Sequence, residues 1–222
     1  MGFIVAIDGP AGSGKGTITK IVGERANLLN IDTGAMYRCV ALQMIRDCIK
    51  IEEIEKIKEM LENINIELVN ENGNIKVFLN EEEVTDEIRT IEVSRLVSPV
   101  ATIKEVRERM VIIQKGFAEK YDIIMEGRDI GTVVFPNADV KIYLDATPEE
   151  RARRRVNQNR EKGIECEYEQ ILKDIKIRDE RDSTREISPL KRAEDAAYVD
   201  TTDNNIERVV GEIMNLINTK RK

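Results

Sequence analysis

The chain has 222 residues, of which 41% are hydrophobic and 35% charged, which is typical of one large folded domain. Its net charge of −7 disfavours a protein that coats nucleic acid, because phosphate contacts need clustered lysine and arginine. No apolar run approaches the ~20 residues that span a bilayer. The absence of histidine excludes Ser-His-Asp triads and histidine metal sites. We therefore expect a cytoplasmic protein with no membrane and no nucleic-acid polymer as partner.

Short apolar runs alternate with helical patterns along the chain. The first run, residues 3–7, stops at Asp8 and Gly9, and a helix is predicted from about Gly14. The alternation predicts an α/β fold, with a parallel sheet covered by helices, in a single domain over residues 1–222. A second helix is predicted over about 35–48, and the further apolar runs are at 28–31, 123–125, 140–144 and 197–199.

Three later helix starts carry a capping pattern. Thr102, Thr147 and Asn204 each stand three residues before a glutamate, and this spacing is typical of a cap residue at the first turn of a helix.

A different pattern interrupts the alternation between residues 65 and 95. Two apolar segments, 66–69 and 75–79, flank the turn-rich segment 70–74, which predicts a β-hairpin. The hairpin lies in an acidic stretch, residues 51–92, with 13 acidic and 4 basic side chains. We therefore assign about 65–95 to a small inserted subdomain.

The glycine-rich segment between the first strand and the first helix is the most informative motif. It reads Gly9-Pro10-Ala11-Gly12-Ser13-Gly14-Lys15-Gly16-Thr17 and is called the phosphate loop below. Backbone N–H groups of such a loop converge on phosphate oxygens, and Lys15 reaches the terminal phosphates. The residue after Lys15 is a glycine, so the hydroxyl expected on magnesium comes one place late, as Thr17. The alternative is a glycine-rich surface turn.

Two further loops carry charged side chains. Residues 32–38 include Thr33 and Arg38 and open the second helix, and residues 127–132 follow a buried strand and contain Arg128 and Asp129. Ligands of open parallel sheets bind at the carboxyl ends of strands. Both loops are therefore candidates for binding a second substrate through its phosphate group. A capped helix start and a salt-bridged turn are the alternatives.

A helix predicted from near Glu167 carries one face that changes character along its length. Steps of three and four residues along this face give Tyr168, Ile171, Ile175, Arg178, Asp182 and Arg185. The charged half either points into a polar site or forms a solvated helix end. Upstream, a dense basic stretch that includes Arg154 is either a solvated helix face or a mobile lid over donor phosphates, at about 151–167.

Taken together, the motifs resemble the bacterial cytidylate kinase family of P-loop nucleoside monophosphate kinases. The resemblance runs through the whole chain in order and rests on segments 7–17, 32–38, 87–90, 127–132, 140–144 and 178–190. It implies a five-stranded parallel sheet flanked by helices, with an inserted acceptor-binding subdomain and a lid. It also implies an enzyme that phosphorylates CMP and dCMP to CDP and dCDP with ATP and Mg²⁺. We expect a monomer whose partners are these small nucleotides.

The resemblance further implies a role for individual side chains. Lys15, Arg128, Arg178 and Arg185 would be catalytic, and Gly9 to Thr17 with Arg154 would bind ATP, with Thr17 on the metal. The acceptor nucleotide would be held by three groups of residues: Thr33, Arg38, Arg128, Arg178 and Arg185 on its phosphate, Ser98, Arg107 and Asp129 on the cytosine, and Asp182 on the ribose.

Other functions remain as alternatives. The nearest is a P-loop kinase for another small acceptor, such as UMP, AMP or shikimate. A GTPase-like switch is disfavoured because no Asn-Lys-x-Asp run occurs. A nucleic-acid-binding protein is the weakest alternative because of the net charge of −7.

Overall fold

A five-stranded sheet in which all neighbouring strands run parallel forms the centre of the structure. The structure is a computed structural model, and it describes residues 2–71, 74–161, 163–203 and 205–221. The strands of this sheet are β1 (Ile4–Asp8), β2 (Leu29–Asp32), β6 (Ile123–Gly127), β7 (Val140–Asp145) and β8 (Ala197–Asp200). All five coincide with apolar runs predicted from the sequence. Their order across the sheet is β2-β6-β1-β7-β8.

Helices cover both faces of this sheet. The central strand β1 is buried along its whole length, as expected for a strand covered on both sides. Val5 and Ile7 pack towards the helices that contain Val22 and Val210, whereas Ile4 and Ala6 belong to the core on the opposite face. The helices are α1 (Lys15–Ala26), α2 (Thr33–Arg46), α3 (Ile54–Asn63), α4 (Ile91–Val100), α5 (Lys104–Lys120), α6 (Pro148–Glu161), α7 (Tyr168–Thr184) and α8 (Ile206–Lys220).

The predicted hairpin forms a second, antiparallel sheet. Its strands are β3 (Ile66–Glu71), β4 (Asn74–Leu79) and the short β5 (Glu82–Glu83), while the centre of the predicted turn, residues 72 and 73, lies outside the described residues. Leu68 and Leu79 are buried in the same hydrophobic cluster as Ile4 and Ala6 of the main sheet. The insertion therefore packs on the principal core.

The predicted helix caps had different outcomes. The Thr147 hydroxyl accepts a hydrogen bond from the Glu150 amide at 3.3 Å, which confirms that cap. The Thr102 cap is wrong: Ile103 precedes the first residue of α5, and the Thr102 hydroxyl donates to the Pro99 carbonyl at 2.7 Å. Asn204 lies outside the described residues, and the side chain of Asn205 caps α8.

The parallel arrangement places several polar loops at one edge. Asp8, Asp32 and Gly127 end neighbouring strands, with Asp8 opposite Gly127 and Asp32 opposite Glu126. The carboxyl ends of the strands therefore bring the phosphate loop and the two charged loops together. Within the described part of the chain, every helix is too short or too polar to cross a membrane.

Candidate active site

The phosphate loop joins the central strand to α1. Gly9 leaves no room for a side chain, because a Cβ there would lie 2.0 Å from the Leu144 carbonyl oxygen. Gly14 has a φ of 92° and precedes α1 without a side-chain cap, and the first turn of α1 contains no acidic residue. The first N–H groups of α1 are therefore available to an anion, which the helix dipole also favours. Thr17 lies exposed in this first turn.

Lys15 is folded back over the phosphate loop. Its Nζ donates hydrogen bonds to the carbonyl oxygens of Gly9 at 2.9 Å and Pro10 at 2.8 Å, and only 6% of the residue is exposed. Burial and the nearby Arg128 cation lower the pKa of Lys15. A polyphosphate at the loop would offer this ammonium group an anionic partner in place of two neutral carbonyls.

Two buried carboxylates flank the lysine. Asp8 ends β1, and Glu126 lies near the end of β6 with its Oε1 3.4 Å from the Thr19 hydroxyl. Burial raises the pKa of Glu126, and Asp32 raises it further. The sequence analysis assigns no site role to either Asp8 or Glu126, although both stand at strand ends next to predicted loops.

Arg128 is held by α7. Its Nε donates to Asp182 Oδ2 at 2.9 Å, and the Nε of Arg178 lies 3.9 Å from the same oxygen. Burial raises the pKa of Asp182, but Arg128 and Arg178 outweigh it and hold the pKa below its usual value. The predicted charged face of α7 therefore points into the site, as the periodicity indicated.

Arg107 and Asp129 form a second ion pair at this edge. Both side chains are almost fully buried, and Arg107 Nη1 also donates to the Ala101 carbonyl at 3.2 Å. Arg185 Nη2 approaches the other oxygen of Asp129 at 3.8 Å. The ring of Tyr37 lies 5.6 Å from the Arg107 guanidinium carbon, so this tyrosine, which belongs to the predicted 32–38 loop but has no predicted role there, adjoins the site.

The remaining predicted residues lie around these pairs. The Thr33 hydroxyl donates to the Glu126 carbonyl at 2.7 Å. Arg38 Nη1 donates to Ser94 at 2.8 Å and to the Ile88 carbonyl at 3.2 Å. The Ser98 hydroxyl accepts a hydrogen bond from Arg181 Nη1 at 3.3 Å.

Cations are crowded at the site. Burial and neighbouring arginines lower the pKa of Arg38, Arg178 and Arg185, in the case of Arg178 to about 10. The Nε of Arg107, the Nε of Arg178 and the Nη2 of Arg185 are buried without a hydrogen-bond partner among the described residues. Buried donors left unpaired are costly. This arrangement favours an anionic, hydrogen-bonding ligand.

The basic stretch of α6 divides between two roles. Arg151 is buried, donates to the Ala11 carbonyl at 3.2 Å and forms two hydrogen bonds with Asp179, so it joins the phosphate loop to α7. Arg154 lies beside the loop, with its Nη1 3.2 Å from the Thr201 hydroxyl and 3.7 Å from where a Cβ on Gly14 would be. Arg154 is therefore positioned next to the predicted donor site.

The parallel sheet, the glycine-rich loop and the buried lysine define a protein of the P-loop class. A family model described as cytidylate kinase matches residues 5–219. Cytidylate kinase of Caldicellulosiruptor saccharolyticus is 48% identical over 212 residues, which cover 96% of this chain and 94% of that protein. Cytidylate kinase of Bacillus subtilis is 45% identical over 218 residues, which cover 98% and 97%. The chain belongs to the cytidylate kinase family.

A solved structure agrees with the fold alone. An uncharacterized protein from Eubacterium ventriosum aligns with a TM-score of 0.53 at 13% sequence identity, covering 99% of each chain.

Proposed function

We propose that this chain transfers the terminal phosphoryl group of ATP to CMP or dCMP, forming ADP and CDP or dCDP. Membership of the cytidylate kinase family supports this reaction. The structural observation that carries it is the position of the Arg107–Asp129 pair at the same sheet edge as the phosphate loop. A group able to read a base thus adjoins a group able to hold a polyphosphate.

The phosphate loop is the proposed donor site. Its backbone N–H groups and Lys15 would hold the phosphates of ATP, and Arg154 would add a cation beside Gly14. For Lys15, binding means exchanging its two carbonyl acceptors for phosphate oxygens.

Magnesium fits the oxygen donors beside this loop. Glu126 is a buried carboxylate whose Oε1 lies 3.3 Å from where a Cβ on Gly16 would be, and Asp32 is its neighbour in the sheet register. The pKa of Glu126 is raised by burial and by Asp32, and a divalent cation would relieve both effects. We propose that Thr17, Glu126 and Asp32 would hold Mg²⁺, which supplies charge neutralisation at the phosphates when bound.

The arginine cluster is the proposed site for the acceptor phosphate. Arg38, Arg128, Arg178 and Arg185 bring four cations to one edge, where burial and the Arg128 and Arg38 cations lower the pKa of Arg178, and Thr33 adds a hydroxyl. Arginine suits this task because its planar N–H groups match the oxygens of a phosphate.

The base and the ribose have separate partners in this proposal. The Asp129 carboxylate accepts from the exocyclic amine of cytosine and repels the carbonyl oxygen that uracil has there. Arg107 and Ser98 complete the cytosine site. Asp182, held by Arg128, faces the ribose.

Catalysis in this site requires no general base. The attacking oxygen belongs to a phosphate whose second pKa is about 6, so it is already mostly ionised at neutral pH. Lys15 and the arginines hold two anions in line and stabilise the charge on the transferring group.

Two regions have proposed mechanical roles. Residues 65–95 would act as the acceptor-side subdomain, which the bond from Arg38 to the Ile88 carbonyl supports. Residues 151–167 would act as a lid, with Arg154 as its donor-side cation. We propose a monomer, since one chain supplies every group that the reaction needs.

A panel of acceptors tests the proposed function. ADP release is measured by a coupled assay with CMP, dCMP, UMP, AMP and shikimate at equal concentration. CMP and dCMP should give the highest kcat/KM. A higher kcat/KM for UMP, AMP or shikimate would contradict the proposal and favour another small-acceptor kinase.

A further inference from the structure

Asp8 connects two loops that are far apart in the sequence. It is the last residue of β1, and 4% of it is exposed. Its Oδ1 accepts a hydrogen bond from the Ile130 amide and its Oδ2 accepts one from the Gly131 amide, each at 2.7 Å. Both oxygens of the carboxylate are therefore used by residues 122 and 123 positions away.

The two ends of this connection belong to different halves of the site. Asp8 is followed directly by Gly9, the first residue of the phosphate loop, whose carbonyl accepts from Lys15. Ile130 and Gly131 directly follow Asp129, which pairs with Arg107. The Asp8 side chain therefore connects the phosphate loop to the segment that directly follows Asp129, the proposed base-reading carboxylate.

Asp8 also takes over a role that Asp129 would otherwise fill. Residues Ile130–Val134 form one helical turn, and Asp129 stands at its cap position but makes no side-chain capping hydrogen bond. An aspartate at that position ordinarily accepts from the second or third amide of its own turn, which here belong to Gly131 and Thr132. Asp8 accepts from the Gly131 amide instead, and both oxygens of Asp129 face Arg107 and Arg185.

The local packing permits this close approach. A Cβ on Gly131 would lie 3.3 Å from Asp8 Oδ2 and 3.2 Å from the Cδ of Lys141. Glycine therefore lets the loop descend onto the carboxylate. Burial raises the pKa of Asp8 to about 6, although the two amides act to lower it, so the ionised form is held at a cost to folding stability.

We infer that Asp8 is a positioning residue that fixes the register between the phosphate loop and the 127–132 loop and keeps Asp129 free to read the base. The inference rests on the proposed CMP kinase function. It assigns Asp8 no contact with either substrate.

The substitution Asp8→Asn tests the inference, because an amide offers one acceptor oxygen and turns an N–H donor towards the second backbone amide. We expect the ratio of kcat/KM for CMP over UMP to fall by at least about tenfold, while the Kd of ATP measured without acceptor changes less than about twofold. Asp139→Asn is the matched control, since Asp139 Oδ2 accepts from the Ile4 amide at 2.8 Å at the opposite end of β1. This control should keep the wild-type ratio.

A second variant covers the case in which Asp8→Asn does not fold. Gly131→Ala places a Cβ against the Asp8 carboxylate and so weakens the hydrogen bond between Asp8 and the Gly131 amide. This variant should lower the CMP over UMP ratio of kcat/KM by roughly threefold or more, with ATP affinity retained. A folded variant of either kind with the wild-type ratio and kcat would overturn the inference. Equal loss of ATP and CMP binding would also overturn it, since Asp8 would then merely support the phosphate loop. Wild-type protein without CMP kinase activity would instead contradict the proposed function.

Discussion

Arg107 and Asp129 form an ion pair in which only 3% and 6% of the respective side chains are exposed. A buried ion pair contributes little net stability, but loss of one partner strands the other charge. The Nε of Arg107 is buried and has no hydrogen-bond partner among the described residues, so one N–H donor of this arginine stays unused. We therefore propose that the pair serves to recognise a polar ligand.

Substitution of Asp129 should change base selection. Asp129→Ala removes the acceptor for the exocyclic amine of CMP, and we expect the CMP over UMP ratio of kcat/KM to fall by about 10-fold or more, mainly through poorer use of CMP. ATP binding measured without acceptor should barely change. Asp129→Asn keeps the side-chain shape if the alanine variant is unstable, and its amide can also donate to uracil.

The control for this experiment is Asp195→Ala, which removes an exposed aspartate paired with Lys141. Equal loss of CMP and UMP activity in Asp129→Ala would show that the carboxylate serves phosphate geometry instead of base selection.

Removal of the loop lysine should separate folding from catalysis. Lys15→Ala deletes a buried cation that is bound to the Gly9 and Pro10 carbonyls. We expect a folded protein whose kcat is lower by about 10² to 10³-fold or more, because the charge acts mainly on the transferring group. Circular dichroism and steady-state kinetics measure the two effects. Lys104→Ala, at an exposed position of α5, is the control, and unchanged turnover in folded Lys15→Ala would exclude the phosphate-loop assignment.

The lid proposal predicts a graded response along α6. Arg151 is already fixed by Ala11 and Asp179, so its surroundings should gain little protection when substrates bind. Residues 155–165 should become protected from hydrogen exchange on addition of a bisubstrate analogue, because their cations gain anionic partners. Protection limited to the phosphate loop would contradict a lid in this region.

Asp8 should impose a recognisable pH dependence on stability. Its pKa is raised from 3.8 to about 6, with burial as the main cause, so between these values the native state binds more protons than the unfolded state. The contribution of Asp8 to the free energy of unfolding should therefore decrease as the pH rises from about 4 to about 6, by an amount on the order of 3 kcal/mol, and then stay constant. Urea denaturation of wild type and Asp8→Asn at several pH values measures the difference. Parallel stability curves for the two proteins would contradict the raised pKa.

The sequence predicts those features that depend on local patterns. Apolar runs bounded by turn residues located all five strands of the main sheet, and the spacing of glycines with Lys15 located the loop that follows β1. The periodicity of α7 also indicated correctly that Asp182 turns towards polar partners. Each of these signals is contained within a few consecutive turns or one strand.

Features that depend on distant contacts were not predictable in this way. Asp8 reads as a turn residue, and its function as an acceptor for Ile130 depends on the sheet register. Arg151 reads as part of a basic stretch that is either a solvated helix face or a mobile lid, yet its guanidinium is fixed by Asp179 and the Ala11 carbonyl of the phosphate loop. Thr102 was assigned as a cap because its spacing is right, but its hydroxyl binds the Pro99 carbonyl of the preceding turn.

Transfer of label from ATP to CMP is the direct test of the proposed phosphoryl transfer. The protein is incubated with ATP labelled in its γ-phosphate, CMP and magnesium, and the nucleotides are separated and counted. We expect the label to appear in the β-phosphate of CDP in a one-to-one ratio with ADP formed. Label recovered as inorganic phosphate, or no transfer to CMP by the folded protein, would contradict it.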